Sequence, residues 1–115
     1  MKLVRDLIPQ IIEQSGKKPR YYAADLPEFK QRLYDKMQEE MQEFREDPCV
    51  EEAADMLEVL RGICWINKIS MREVSEAAQE KARLRGGFTS GYVLENVEDH
   101  DEDDWTVTPY GEQNE

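Results

Sequence analysis

Cysteine is almost missing from this sequence. Cys49 and Cys64 are the only two among 115 residues, and they are not closely spaced. That excludes a disulfide-rich scaffold and gives no C-x-x-C metal or redox motif. Both are expected to serve as small buried hydrophobes. Histidine is rarer still. His100, the single one, sits in an acidic stretch, so neither a Ser-His-Asp triad nor a Cys-His pair can be assembled. Long hydrophobic runs are lacking too. No segment approaches the roughly 20 apolar residues of a membrane span, and MKLVRDLIPQ lacks the apolar stretch of a signal peptide, so the expectation is a cytoplasmic protein that does not engage a membrane. Positive charge is short: 15 Lys and Arg face 26 Asp and Glu, for a net charge of −11. A nucleic-acid duplex or an anionic membrane needs a basic surface that displaces counterions, so neither is an expected partner. An anionic small molecule stays compatible, because carboxylates hold divalent cations and those cations hold phosphates.

At this length one compact domain is expected. A hydrophobic fraction of 39% beside a charged fraction of 36% suits a thin core with much solvated surface, completed by a partner subunit. The pattern predicts four helices and no regular sheet. Asp6 is placed to cap the first, Pro9 is tolerated in its opening turn, Leu7, Ile8, Ile11 and Ile12 form its apolar face, and Gly16 stops it. Residues 17–24 lack helical periodicity and are expected to cross the surface as an extended connection. Asp25-Leu26-Pro27-Glu28 has capping-box spacing and opens a long helix with Leu26, Phe29, Leu33, Met37 and Phe44 along one face, ending near Asp47-Pro48. From about Val50 to Asn67 a third helix carries Val50, Ala53, Ala54, Leu57, Leu60 and Cys64 on one side and Met56, Val59, Ile63 and Ile66 on another. Two apolar faces predict burial on both sides, at the centre of a bundle or at a subunit interface. Ser70 to Glu73 is a further capping box, and the helix it opens stops at Gly86-Gly87. Phe88 to Val97 is expected as a short extended arm. Beyond it, residues 98–115 form a separate acidic tail expected to be disordered, with Trp105, Val107 and Tyr110 its only docking groups.

Two carboxylate clusters stand out, Glu39-Glu40-Met41-Gln42-Glu43 and Glu51-Glu52-Ala53-Ala54-Asp55. Each contains an i, i+3 pair, which places two carboxylates on one helical surface a turn apart. Two such helices packed antiparallel bring Glu40, Glu43, Glu52 and Asp55 around one hard cation. In a chain this acidic, spacing alone favours a solvated charge stripe. Glu40 changes the balance, since it falls between Met37 and Phe44, where the apolar stripe calls for a residue such as leucine. A buried carboxylate needs a cation, a hydrogen-bonding partner or a proton, and three neighbouring carboxylates favour the cation. Two basic segments are candidates for anion contact, Lys2 with Arg5 and Lys81 with Arg83 and Arg85. Their plainer readings are a salt bridge and cap at Arg5-Asp6, and compensation of the helix dipole at Lys81 and Arg85.

The ordered set Lys2-Leu3-Val4-Arg5-Asp6-Leu7-Ile8-Pro9, Glu39-Glu40-Met41-Gln42-Glu43, Glu52-Ala53-Ala54-Asp55 and Arg85-Gly86-Gly87-Phe88 resembles the all-α nucleoside triphosphate pyrophosphohydrolases. Within them it is most similar to the MazG-like and phosphoribosyl-ATP pyrophosphohydrolase-like proteins, over about residues 2 to 97. The resemblance implies a four-helix MazG-like bundle working as a dimer or tetramer. It implies magnesium, with manganese as an alternative, held by Glu40, Glu43, Glu52 and Asp55. It further implies hydrolysis of a nucleotide between its α and β phosphates. Glu39 and Glu43 are the candidates for the carboxylate that orients or deprotonates water, and Lys2, Arg5, Lys81 and Arg85 for substrate contact. Eight residues separate Glu43 from Glu52, fewer than is usual in that family, so a tighter turn is expected there. A helical interaction module without catalysis and a true phosphoribosyl-ATP hydrolase are the competing functional readings.

Overall fold

A computed structural model describes residues 1–99. The acidic run from His100 onward, with Trp105, Val107 and Tyr110, lies outside the described residues. The described chain is all-α, with α1 at Ile8–Gln14, α2 at Leu26–Glu46, α3 at Val50–Ile66 and α4 at Met71–Arg85, and no strand.

Local chemistry accounts for most of the boundaries. At the start of α2 the Asp25 carboxylate accepts from the Glu28 backbone N–H at 3.0 Å, and at the start of α4 the Ser70 hydroxyl accepts from that of Glu73 at 3.3 Å. Gly16 and Gly86 follow α1 and α4 with φ of +91° and +82°, where a side chain would be strained. Lys68 takes the same left-handed role after α3 with φ of 60°, and the turn is locked by the Ile69 N–H donating to the Cys64 carbonyl at 2.8 Å. One expectation is corrected. Asp6 does not cap α1. Leu7 occupies that position without any side-chain hydrogen bond. The chain enters α1 through a turn in which the Ile8 N–H donates to the Arg5 carbonyl, and Leu7 already has helical dihedrals. A capping side chain requires extended backbone there.

Helices α2 and α3 pack into an antiparallel hairpin over a three-residue turn, and α4 touches α3 only slightly. Register follows from named pairs. Leu33 faces Gly62, where a Cβ would come within 3.0 Å of the leucine Cδ2. Glu40 faces Asp55. Seven residues forward on α2 therefore correspond to seven residues back on α3. At one end of the hairpin the Phe29 and Trp65 rings lie 6.3 Å apart, tilted by 52°, and at the other Glu40 meets Glu52 and Asp55. Helix α1 brings no Cα within 8 Å of another helix; it stands across an open groove of about 1110 Å³ whose walls include Leu3, Ile8, Phe29, Val59 and Trp65.

Burial within the single chain is slight. Among the described residues only Leu33, Cys64 and Glu40 are buried. Of the two apolar sides of α3, Met56, Val59, Ile63 and Ile66 are half-buried, while Val50, Ala53, Ala54 and Leu57 are exposed. Residues 88–99 form neither helix nor strand, and Phe88, Tyr92 and Val93 are almost fully exposed. The Cα radius of gyration is 21.0 Å, against about 13 Å for a compact chain of this length.

Candidate metal centre

The hairpin register places the i, i+3 carboxylates of α2 against those of α3. One carboxylate oxygen from each of Glu40, Glu52 and Asp55 lies within 4.8 Å of the others. Two oxygens on opposite sides of a magnesium ion are about 4.2 Å apart, and on opposite sides of calcium about 5 Å. The spacing of the three oxygens is therefore of the order of the widest oxygen–oxygen separation around a hard divalent cation.

Glu40 is the centre of the site. It is only 6% exposed, as its place in the apolar stripe predicts, and its Oε2 is buried with no hydrogen-bond partner; Glu52 Oε2 is in the same condition. Orphaned buried acceptors of this kind are rare, because each has lost its water without replacement. Burial pushes the Glu40 carboxyl above its ordinary range, and the neighbouring Glu43 carboxyl and the charge of Asp55 push the same way, against the Lys36 ammonium. The Glu52 carboxyl is also raised, first by burial and then by the charges of Asp55, Glu40 and Asp47, while the neighbouring Glu43 carboxyl opposes. The neighbouring negative charges thus disfavour ionisation of Glu40 and Glu52, and a divalent cation among them would act in the opposite direction.

Glu43 is half-buried beside both Glu40 and Glu52. It stands outside the trio whose oxygens converge. Glu39 is half-exposed, and its Oε1 lies 3.5 Å from Lys36 Nζ. That lysine was not singled out in the sequence, although its spacing marks it: it stands i−4 from Glu40 and i−3 from Glu39. It reaches the Glu40 Oε1 at 3.5 Å as well.

Of the four basic candidates, Lys2 and Arg5 line the groove, and Arg5 Nη2 donates to Asp55 Oδ1 at 2.7 Å. Lys81 and Arg85 are exposed on the last turns of α4 and do not line it. Their neighbour Arg83 is occupied by Glu80 at 2.7 Å. The groove itself was not foreseen. It runs from Glu40 and Asp55 past Lys36 to Phe29 and Trp65. At its rim the Tyr22 hydroxyl and Arg32 both donate to Glu28 Oε2; the two donors hold the Glu28 carboxyl below its ordinary range, the tyrosine contributing most. No described helix is long and apolar enough to cross a membrane.

Comparison of the chain with protein-family models, curated proteins and solved structures found no match.

Proposed function

We propose that this protein is a magnesium-dependent nucleotide pyrophosphohydrolase. It would cleave a nucleoside triphosphate or related nucleotide between the α and β phosphates to give the monophosphate and pyrophosphate. The observation that carries the reading is the buried, unpartnered Oε2 of Glu40 within a trio of carboxylates whose oxygens lie inside 4.8 Å. Glu40, Glu52 and Asp55 would hold magnesium, or manganese in its place, with Glu43 completing the set from beside them. When bound, the cation would neutralise the polyphosphate and the charge developing as the anhydride breaks.

The chain's own groups would do the rest. Glu43, or Glu39 at the edge of the site, would accept a proton from the attacking water and orient it. Lys2 and Arg5 line the groove and would meet phosphate oxygens there, arginine through two parallel hydrogen bonds. Lys81 and Arg85 would have to arrive from a second copy of the chain. A homo-oligomer, dimer or tetramer, is part of the proposal: Val50 and Leu57 on α3 and Phe88, Tyr92 and Val93 after α4 are exposed apolar side chains that a second copy would cover. The closed four-helix bundle of the MazG-like proteins would then form between chains.

The test is pyrophosphate release from a panel of nucleotides with magnesium, for the wild type, Glu40→Gln and Asp55→Asn. Turnover lost in both variants supports the site, and turnover unchanged in both overturns it. Complementation of a histidine auxotroph identifies phosphoribosyl-ATP as the substrate. No turnover and no cation binding would leave the helical interaction module as the better reading.

A further inference from the structure

The Arg5–Asp55 pair is unlike every other ion pair among the described residues. The others join side chains three or four positions apart within one helix, whereas this one spans fifty residues and ties the N-terminal segment to the metal-site hairpin. Arg5 takes up an oxygen on one of the three carboxylates that converge on the candidate site. It is loosely held. The two side chains are 57% and 38% exposed, and the short helix that follows has no Cα within 8 Å of another helix.

We propose that Arg5 is a resident counter-cation of this site. It holds Asp55 while the site lacks a divalent ion, is displaced when one binds, and then carries an anionic group of the ligand in the groove. This rests on the cation-binding reading of Glu40, Glu52 and Asp55. Two cationic groups on one small carboxylate repel each other, so cation binding and the Arg5–Asp55 bond compete. Displacement leaves the guanidinium in a groove that it already lines, beside Lys2 and Lys36. There a phosphate offers two oxygens to the guanidinium fork, where Asp55 accepts a single hydrogen bond from Nη2. Lys36, 3.5 Å from Glu40 Oε1, offsets the charge of a second carboxylate of the trio.

A different role for Arg5 has the opposite signature. Were it to hold Asp55 in position for the cation, leaving Oδ2 as the ligand atom, its removal would weaken cation binding. Calorimetry of Mn²⁺ binding, followed by inorganic pyrophosphate binding to the Mn²⁺-loaded protein, separates the two for the full chain as wild type, Arg5→Gln and Arg5→Lys. Arg5→Gln is expected to bind Mn²⁺ about two- to fivefold more tightly, the range set by loss of an exposed ion pair. It is expected to bind pyrophosphate about tenfold more weakly, through loss of a charge-assisted contact. Arg5→Lys keeps the charge and loses the fork, so its Mn²⁺ affinity should stay near wild type while its pyrophosphate affinity falls between the other two. Equal or weaker Mn²⁺ binding by Arg5→Gln overturns the proposal, as does unchanged pyrophosphate binding. A wild type that binds Mn²⁺ normally in either case leaves the metal site standing, whereas a wild type that binds none removes both.

Discussion

Glu40→Gln changes one atom and removes one charge, and its expected effect on stability changes sign with the cation. In the cation-free protein Glu40 is 6% exposed, and Oε2 has no partner. A buried polar atom left unsatisfied costs about 1–3 kcal/mol, and more when charged. Lys36 at 3.5 Å offsets part of that penalty, and the glutamine amide still lacks partners of its own, so the net gain on substitution is about 1 kcal/mol. For a domain of this size that raises the melting temperature by about 4–8 °C. With a cation at about a hundred times its dissociation constant, the wild type gains about 2.7 kcal/mol. The variant, without its central ligand, gains little of it. The melting order should therefore cross: Glu40→Gln above wild type in EDTA, wild type above Glu40→Gln in Mn²⁺. Circular dichroism melts at one fixed protein concentration read this directly. A variant that melts lower in EDTA would mean that Lys36 already satisfies Glu40 as a structural ion pair. Equal stabilisation of both proteins by Mn²⁺ would place the ion elsewhere.

The pH dependence has a definite direction. Glu40 and Glu52 have carboxyls raised above the ordinary value of 4.5, so the folded chain keeps protons that the unfolded chain has lost; the stability they contribute is full below 4.5 and disappears as pH rises through the raised values. The Glu28 and Glu80 carboxyls are lowered, and their contribution is lost as pH falls below 4.5, so the cation-free protein should melt highest in mildly acid solution just above that value. A melting temperature that rises steadily to neutral pH would contradict this, and saturating Mn²⁺, which needs the carboxylates ionised, should reverse the slope. Gly62→Val should destabilise by about 1–3 kcal/mol through overpacking against Leu33, and most of that loss should vanish in a Leu33→Ala background; additive effects in the double-mutant cycle would show that the two helices do not meet there. Leu57→Glu on the exposed edge of α3 should convert an oligomer into monomers by light scattering, and a wild type that is monomeric at every concentration would remove the oligomer from the account.

How much was legible in advance depends on the range of the interactions involved. Caps at Asp25 and Ser70 and stops at Gly16 and Gly86 act within a few residues, and all four were readable. Burial of Glu40 was readable for the same reason, because helical periodicity alone puts it in line with Leu33 and Met37. Asp6 misled: a capping residue identifies a helix start only where the backbone is extended, and the turn through Leu7 is not. The Arg5–Asp55 pair, the Phe29–Trp65 contact and the groove between them join segments far apart in sequence, where no periodicity operates. Gly62 left no mark either, because a glycine inside a helix reveals a close approach only once its neighbour Leu33 is in place.

On the proposed reading Glu40, Glu52 and Asp55 enclose a divalent cation. Crystals of the full chain grown with Mn²⁺ and measured at the manganese absorption edge test it directly. One strong anomalous peak is expected, bonded to carboxylate oxygens of all three residues at about 2.2 Å, the usual distance for a hard divalent ion. No peak among them, or a peak held only by surface carboxylates elsewhere, would contradict it.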